Sequence, residues 1–303
     1  MIQLSDLEFF ATLAQSPSLA AAARALNVSS SAVTQRLQDL ERRVGAQLID
    51  RRSRRVELTD EGELLATQGR VITEAVVDLG EALSAKGDTV RGRLRVVAPI
   101  GFGRAHVAPI IAAFATQHPS LAVELTLTDR LQRHPMAQWD LAILIGTRRD
   151  ARVTMRTLAP NERLLVAAPS YLARAGVPQA PRDLLAHACL VVRENDEDVT
   201  LWTLHSETTG TTRVRITPRL ASNDGDVARE WALAGHGILL RSEWSVADDL
   251  RTGRLVRVLP GYRAPSADIL LLLNPTRART KRSERFVEAL TAALTPAPWR
   301  VAE

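Results

Sequence analysis

Cysteine is almost missing from this chain of 303 residues. Its one thiol, Cys189, has no partner for an intrachain disulfide, which fits a reducing compartment and excludes a disulfide-stapled scaffold. Long apolar runs are missing too. None exceeds six residues, and runs such as Ile269 to Leu273 have the length of a strand, well short of the roughly 20 residues that span a bilayer. Met1 to Glu8 hold no basic segment followed by an apolar core, so no secretory leader and no membrane partner are expected, and a cytoplasmic location is. Catalytic signatures are equally scarce. His106, His118, His134, His187, His205 and His236 are never paired at metal-ligand spacing, so neither metal nor cofactor is expected. There is no Gly-x-Ser-x-Gly elbow and no Gly-x-x-x-x-Gly-Lys-Ser/Thr loop. Gly101-Phe102-Gly103 lacks the third glycine of a dinucleotide loop, since Ala105-His106 stand there, and reads as a turn needing backbone freedom. Cys189 sits in the apolar stretch Ala188 to Val192, surroundings that keep a thiol buried and inert. No residue set divides nucleophile, base and oxyanion roles, and an enzyme is not expected.

What the chain does hold is ordinary globular material, unevenly charged. At about 100–200 residues per domain, this length predicts two or three domains. Hydrophobic residues make up 46% and charged ones 24%, enough to bury real cores. The net charge of +5, from 39 Lys and Arg against 34 Asp and Glu, is only a mild pull toward a polyanion. Placement says more. Arg36, Arg42, Arg43, Arg51, Arg52, Arg54 and Arg55 crowd one short stretch, opposed there by Asp39, Glu41 and Asp50 alone.

Leu4, Leu7, Phe10, Leu13 and Ala14 share one face of a helix expected over 4–15. Ser16-Pro17-Ser18 stops it. Ser18 is a good N-cap for a second helix, Leu19 to Leu26, whose small residues let another helix approach closely. Asn27-Val28 reads as a short turn, because Asn tolerates the left-handed backbone at a helix C-terminus. One of Ser29, Ser30 and Ser31 caps a third helix ending at Gly45. That helix is expected to turn Ala32, Val33, Leu37 and Leu40 inward and to set Thr34, Gln35, Arg36 and Gln38 on more exposed faces. Leu48-Ile49 and Val56 to Leu58 predict two short strands flanking the basic run Arg51 to Arg55. Thr59 to Gly62 opens a long helix reaching about Lys86. In it Leu65, Ile72 and Leu79 recur every seven residues, with Val76 and Leu83 four after the last two, a heptad seam expected to pair with another helix.

Gly87, Asp88 and Gly92 punctuate a linker, and from Arg93 the pattern changes. Strand-like runs at 94–98, 123–127, 141–145, 164–168, 214–217, 238–240, 255–259 and 269–273 alternate with helical patterns such as 107–117 and 226–234. Such alternation predicts an α/β domain with largely parallel sheets. The segment is long for one open sheet and natural for two lobes.

Helix, short turn and helix with a polar outward face is the plan of a helix-turn-helix, whose second helix inserts its N-terminal end into the major groove of DNA. Ser29, Ser30, Ser31, Thr34, Gln35, Arg36 and Gln38 stand at or near that end, where hydroxyls and amides bond base edges or phosphates. Arg51, Arg52, Arg54 and Arg55 suit phosphate or minor-groove contact. A plain helical bundle with solvated arginines accounts for the charge run alone, not for all the pieces in this order.

Leu7 to Phe10, Ser18 to Ser29, Val33 to Arg51 and Leu58 to Gly62 together resemble the signature of LysR-type transcriptional regulators. The likeness is dense over the first 62 residues. It continues more weakly at Pro109 to Phe114, Asp140 to Gly146, Ala167 to Leu172, His187 to Leu190, Asn223 to Asp226 and Gly235 to Ile238. The resemblance implies a winged helix-turn-helix domain over 1–59, a linker helix and hinge over 60–91, and an effector domain over 92–303. That last domain would be two-lobed, similar to type 2 periplasmic binding proteins, with one lobe about 92–162 plus 265–295 and the other about 163–264. The implied partners are double-stranded DNA at an inverted-repeat promoter site, a small-molecule effector, the transcription machinery, and the chain itself as a homodimer or homotetramer through the linker helix.

The resemblance also sets the effector in the cleft between lobes. Ile100, Gly101 and Phe102 then form its first wall, and Thr147, Asn195, Thr200, Asn223 and Gly237 surround it by family position. Two departures stand out. Many relatives place a Ser or Thr hydroxyl where Ile100 offers only its backbone, and many carry Arg where Leu144 stands. Both point away from an anionic effector held in the usual way, toward a less charged ligand, a more apolar one, or none. Trp202 and Trp231 read as core anchors. The competing reading is a cytoplasmic solute-binding protein with an incidental helical extension.

Overall fold

The computed structural model describes residues 1–50, 56–83, 90–146, 154–194, 198–275 and 280–300, in two compact units, 1–88 and 89–303. The first unit contains α1 (Leu4–Ala14), α2 (Leu19–Ala25), α3 (Ser30–Val44) and α4 (Asp60–Leu83). Its core is Phe9, Phe10, Leu13, Ala22, Ala23, Val33, Leu37, Leu40, Leu48 and Ile49, all buried. Ser18 caps α2 by accepting the Ala21 N–H at 3.2 Å, and Ser29 caps α3 by accepting the Ala32 N–H at 3.2 Å. Asn27 takes the left-handed backbone (φ 55°) between them, and Gly45 does so at the end of α3 (φ 79°). Two expected core positions are corrected. Ala32 is exposed, because nothing packs over that side of the first turn of α3; Leu4 is exposed too, and Phe9 fills the core instead.

Buried charge fastens the pieces. Asp6 of α1 meets Arg43 of α3 at 2.7 Å, and Glu41, also buried, accepts the Leu48 N–H at 2.9 Å. The expected pair of strands is reduced to one antiparallel bridge, Ile49 with Leu58, continued by Asp50 N–H to Glu57 carbonyl at 2.8 Å. Arg51 to Arg55 lie outside the described residues. Thr59 caps α4 through the Gly62 N–H at 3.1 Å, and three acids (Asp60, Glu61, Glu63) complement the positive end of its dipole. The first turns of α4 belong to this core. Leu65 and Ala66 pack against it, and a side chain on Gly69 would press on Leu7.

The second unit has two sheets. The first orders its strands β2 (Leu121–Leu127), β1 (Gly92–Ala98), β3 (Leu141–Ile145), β12 (Ile269–Leu273) and β4 (Thr154–Ala159). The second orders β11 (Val256–Arg257), β5 (Arg163–Ala167), β10 (Ile238–Ser242), β6 (Cys189–Val192) and β9 (Pro218–Ser222). A separate hairpin joins β7 (Leu201–Ser206) to β8 (Gly210–Arg215). The expectation of largely parallel sheets is corrected. The sheets are mixed: in each, four strands share one direction and one runs against them, β12 pairing antiparallel with β3 and β4, and β5 with β10 and β11. Helices cover the faces: α5 (Ile100–Phe102), a single turn continued by a π-helical turn into α6 (Ala108–Gln117), then α7 (Pro169–Ala175), α8 (Gly225–Leu233), α9 (Glu243–Arg251) and α10 (Lys281–Ala293). Asn161, buried at the crossing after β4, bonds the Ala267 carbonyl at 2.7 Å and the Trp244 N–H at 3.4 Å. It thereby ties both crossings to α9. Trp202 is buried in the second-lobe core, and Trp231, on α8, packs partly buried against a second cluster of that lobe.

The docking of α4 onto the bridged strands depends on Gly62, where a Cβ would come 2.1 Å from the Leu48 carbonyl oxygen. Gly62→Ala should therefore destabilise the N-terminal unit by about 1–3 kcal/mol, the usual cost of overpacking, in chemical denaturation. Gly80→Ala on the same helix, with open space around it, should not lower stability.

Candidate DNA-binding face and effector cleft

Burial of Val33, Leu37 and Leu40 decides which face of α3 looks outward. Ser29, Ser30, Ser31, Gln35 and Gln38 are exposed and Thr34 is half-buried. Their local bonds hold the face in one arrangement. The Ser29 and Ser31 hydroxyls pair at 2.9 Å, Thr34 donates to the Ser30 carbonyl at 3.0 Å, and the Gln35 amide donates to Asp39 at 3.2 Å. That leaves the Gln35 side-chain carbonyl and the serine hydroxyls exposed at the N-terminal end of α3, donors and acceptors of the kind that read base edges. Arg36, expected in the DNA-facing set, is exposed and already engaged by α1. Its guanidinium lies 4.6 Å above the Phe9 ring and donates to the Ser5 carbonyl at 2.7 Å, because α1 offers it both an aromatic face and a helix-start carbonyl. Arg51, Arg52, Arg54 and Arg55 lie outside the described residues.

Along α4 the expected seam divides. Leu65 turns into the N-terminal core, whereas Ile72, Val76 and Leu79 are 50%, 44% and 59% exposed. Leu64 and Val77 are exposed as well. The side chain of Leu83 lies outside what is described. Apolar residues in this number do not face water on an isolated helix without cause.

In the second unit a hollow between the lobes is bounded by Gly101 and Phe102 from one side and by Arg241, Ser242 and Trp244 from the other. Its volume is about 30 Å³, room for about one water. A larger hollow of about 180 Å³ adjoins it on the second lobe, walled by Leu190, Val192, Leu240 and Trp202 and sharing Glu194, Arg163 and Arg241 with the first. The first wall is already occupied. The Ile100 N–H donates to Asp129 Oδ1 at 3.1 Å. Burial, and next the Glu194 carboxylate, push Asp129 up to about 6, against the Ile100 N–H and Arg241, which pull it down. Arg241 is buried and bonds Glu194 and Ser245, its guanidinium 5.5 Å from the Trp244 ring. Gly225 makes that position available, since a Cβ there would stand 1.8 Å from the guanidinium. Arg104 of the first lobe and Asp226 of α8 form an ion pair across the rim.

Of the expected effector residues, the structure brings Gly101 and Phe102 to the hollow and gives the Ile100 N–H to Asp129. Thr147 and Asn195 lie outside the described residues. Thr200 is spent at the start of the β7–β8 hairpin, donating to Asp198 at 2.5 Å and accepting from Arg215 at 3.0 Å. Those two partners hold the Asp198 carboxyl near 2. Asn223 is exposed on the turn before α8. Gly237 is a packing glycine, because a Cβ there would stand 2.4 Å from the Ala188 carbonyl oxygen. Reasoning from sequence missed Asp129, Glu194, Arg163, Arg241 and Trp244. Arg241 had a signal, as a charge closing the apolar run Ile238 to Leu240. Cys189 is fully buried, and burial pushes its thiol up to about 12, far from a reactive thiolate.

Residues 4–63 match the family described as bacterial regulatory helix-turn-helix proteins, lysR family, and residues 87–295 match the LysR substrate binding domain. The HTH-type transcriptional regulator DmlR of Escherichia coli K12 is 36% identical over 263 residues, covering 87% of this chain and 85% of that protein. The HTH-type transcriptional activator TtdR of the same strain is 34% identical over 287 residues, covering 95% and 92%. Among solved structures, CrgA of Neisseria meningitidis, a LysR-type transcriptional regulator, shares the fold with a TM-score of 0.62 at 24% identity, covering 97% of this chain and 99% of that one. Among the described residues no helix is long and apolar enough to cross a membrane.

Asp129 carries a stability prediction. A carboxyl raised in the folded state contributes stability at low pH and loses it as pH rises through about 6. Asp129→Asn keeps an acceptor for the Ile100 N–H without the charge. Its melting temperature should exceed that of the wild type at pH 7.5, and the difference should close on acidification to about pH 4, near the ordinary carboxyl value. An unchanged difference across that range contradicts the assignment.

Proposed function

Because the chain belongs to the LysR family of DNA-binding transcriptional regulators with an effector-binding domain, we propose that it binds an inverted-repeat promoter site as a homodimer. In this reading the N-terminal end of α3 enters the major groove and a small molecule between the two lobes adjusts the engagement. The observation that carries the reading is the exposed polar face of α3, Ser30, Ser31, Gln35 and Gln38, set opposite a buried apolar face of the same helix. A two-fold dimer suits a pseudo-palindrome, each recognition helix meeting one half-site about one DNA turn from the other. The exposed Ile72, Val76 and Leu79 of α4 supply the pairing surface, and a tetramer is a second tier of the same assembly. The partners are then promoter DNA and the transcription machinery, and the compartment is the cytoplasm, where the chromosome is. Arg51, Arg52, Arg54 and Arg55 supply backbone contacts beside the helix. The solute-binding alternative falls, because both halves of the chain match one regulator family. Nor do the family and the relatives above include an enzyme.

Two measurements test this assignment. In binding titrations against its own upstream DNA and scrambled duplex, Gln35→Ala should reduce discrimination by about 1–3 kcal/mol with little change in nonspecific affinity. Arg52→Ala should weaken both duplexes alike and flatten the salt dependence. Identical behaviour of the two variants contradicts the division of labour. In sedimentation equilibrium, Leu79→Glu should shift the protein toward monomer while the near-UV signal of the effector domain persists. An unaltered mass distribution would contradict the pairing surface.

A further inference from the structure

We propose that Arg163 is the group in the cleft that recognises the effector, and that the effector meets it with a carboxylate. The proposal rests on the reading of the domain as an effector sensor and deepens it, since it names the chemistry to be sensed.

Five charged side chains line the two hollows: Asp129, Arg163, Glu194, Asp198 and Arg241. Four of them are engaged by the protein itself. Asp129 accepts the Ile100 N–H at 3.1 Å. Glu194 and Arg241 form an ion pair, and Arg241 also reaches Ser245. Asp198 accepts from Arg215 at 2.8 Å and from Thr200 at 2.5 Å. Arg163 differs: its side chain has no hydrogen bond and no ion pair among the described residues. It is half-buried at the start of β5, opposite Ser242 of β10. Its guanidinium crosses toward the other lobe, 4.0 Å from where a Cβ on Gly146, at the end of β3, would stand.

A guanidinium carries five N–H donors and keeps its charge throughout the pH range of a folded protein. Half out of water, those donors call for an acceptor that the chain does not supply. Trp244, on the wall of the smaller hollow, adds a second such donor, since its Nε1–H is buried without an acceptor. Both groups are donors, so what complements them is an acceptor. A carboxylate fits the guanidinium fork best, because two oxygens in one plane take two parallel N–H bonds, each strengthened by charge. One free positive charge balances one negative charge. A phosphate dianion would set its second charge against Asp129 and Glu194, and an ammonium would face Arg163 itself. The first wall is no rival site for the anion, because Asp129 already holds the Ile100 N–H. Arg163 also borders the larger hollow, where Leu190, Val192, Leu240 and Trp202 give apolar walls. Its volume of about 180 Å³ accepts a body the size of one ring, since an apolar cavity of about 150 Å³ holds benzene. The effector so described is a monocarboxylate carrying a short chain or a single ring.

The test is calorimetric titration and thermal shift of the full-length protein at pH 7.5 with probes matched in shape: butyrate against butyramide, benzoate against benzamide, and benzylamine as the cation. The carboxylates should stabilise the wild type and bind about tenfold more tightly than the amides, the worth of a charge-assisted bond. Arg163→Gln should bring the carboxylates down to the level of the amides. Arg163→Lys, which keeps the charge without the fork, should restore part of the preference. With no probe present, Arg163→Gln should melt within about 2 °C of the wild type, because that side chain holds nothing in place. A larger fall would show that Arg163 serves the fold and would overturn the proposal. Amides or benzylamine binding as tightly as the carboxylates, or a carboxylate preference that survives in Arg163→Gln, also overturns it and leaves the sensing role standing. If no probe binds at saturating concentration, the proposal and the sensing role fall together.

Discussion

Val33, Leu37 and Leu40 lie on one face of α3 and must leave water, and the N-terminal unit is arranged around how they do so. Phe9, Phe10 and Leu13 of α1 and the small face of α2 close over them. Each buried aliphatic side chain of this kind contributes about 1.5–3 kcal/mol, more than any surface ion pair on the same helix. The consequence is geometric. Once that face is committed inward, Ser30, Ser31, Gln35 and Gln38 have only solvent in front of them. The cap at Ser29 and the left-handed residues at Asn27 and Gly45 then fix where the exposed end begins and where the helix stops. A packing requirement thus leaves one polar side of the helix in solvent, the side we propose reads DNA.

A second constraint shapes the effector domain. Two sheets, each with its own core, are joined by crossings, and Asn161 binds those crossings to α9 by buried hydrogen bonds. Between the lobes the chemistry is polar and, Arg163 apart, largely self-satisfied: Asp129 on the Ile100 N–H, Arg241 on Glu194, Arg241 lodged over Gly225. Such an arrangement holds the lobes against one another through the protein's own groups. An effector acts only through a difference in affinity between the two states of that cleft.

Much of this was legible in the sequence where the governing interactions are local. Caps at Ser18 and Ser29, the turn at Asn27 and the stop at Gly45 are short-range events between neighbours. The outward position of Ala32 and the turn of Arg36 onto Phe9 were not, since a helical pattern tells inward from outward only where something packs over the helix. Strands β4, β6, β7 and β9 were missed for related reasons. β4 has four exposed residues of six and no clear alternation, β6 is four apolar residues, and β7, despite its alternating burial, was not separated from the polar loop before it. In the cleft the family pattern pointed to Ile100, Gly101 and Phe102 but not to the charged groups beside them. Asp129, Glu194 and Arg241 are brought together from three separate strand ends, and only the fold makes them neighbours.

The most direct test of the central claim is a photocrosslinking measurement on the intact protein bound to its own upstream DNA. A photoreactive residue carried at position 35 should crosslink to bases of each half-site, as read by primer extension. The same residue at position 8, exposed on α1, should give no base-specific product. Crosslinks from position 8 with none from position 35 would contradict the account, because the exposed end of α3 would then not be in the groove.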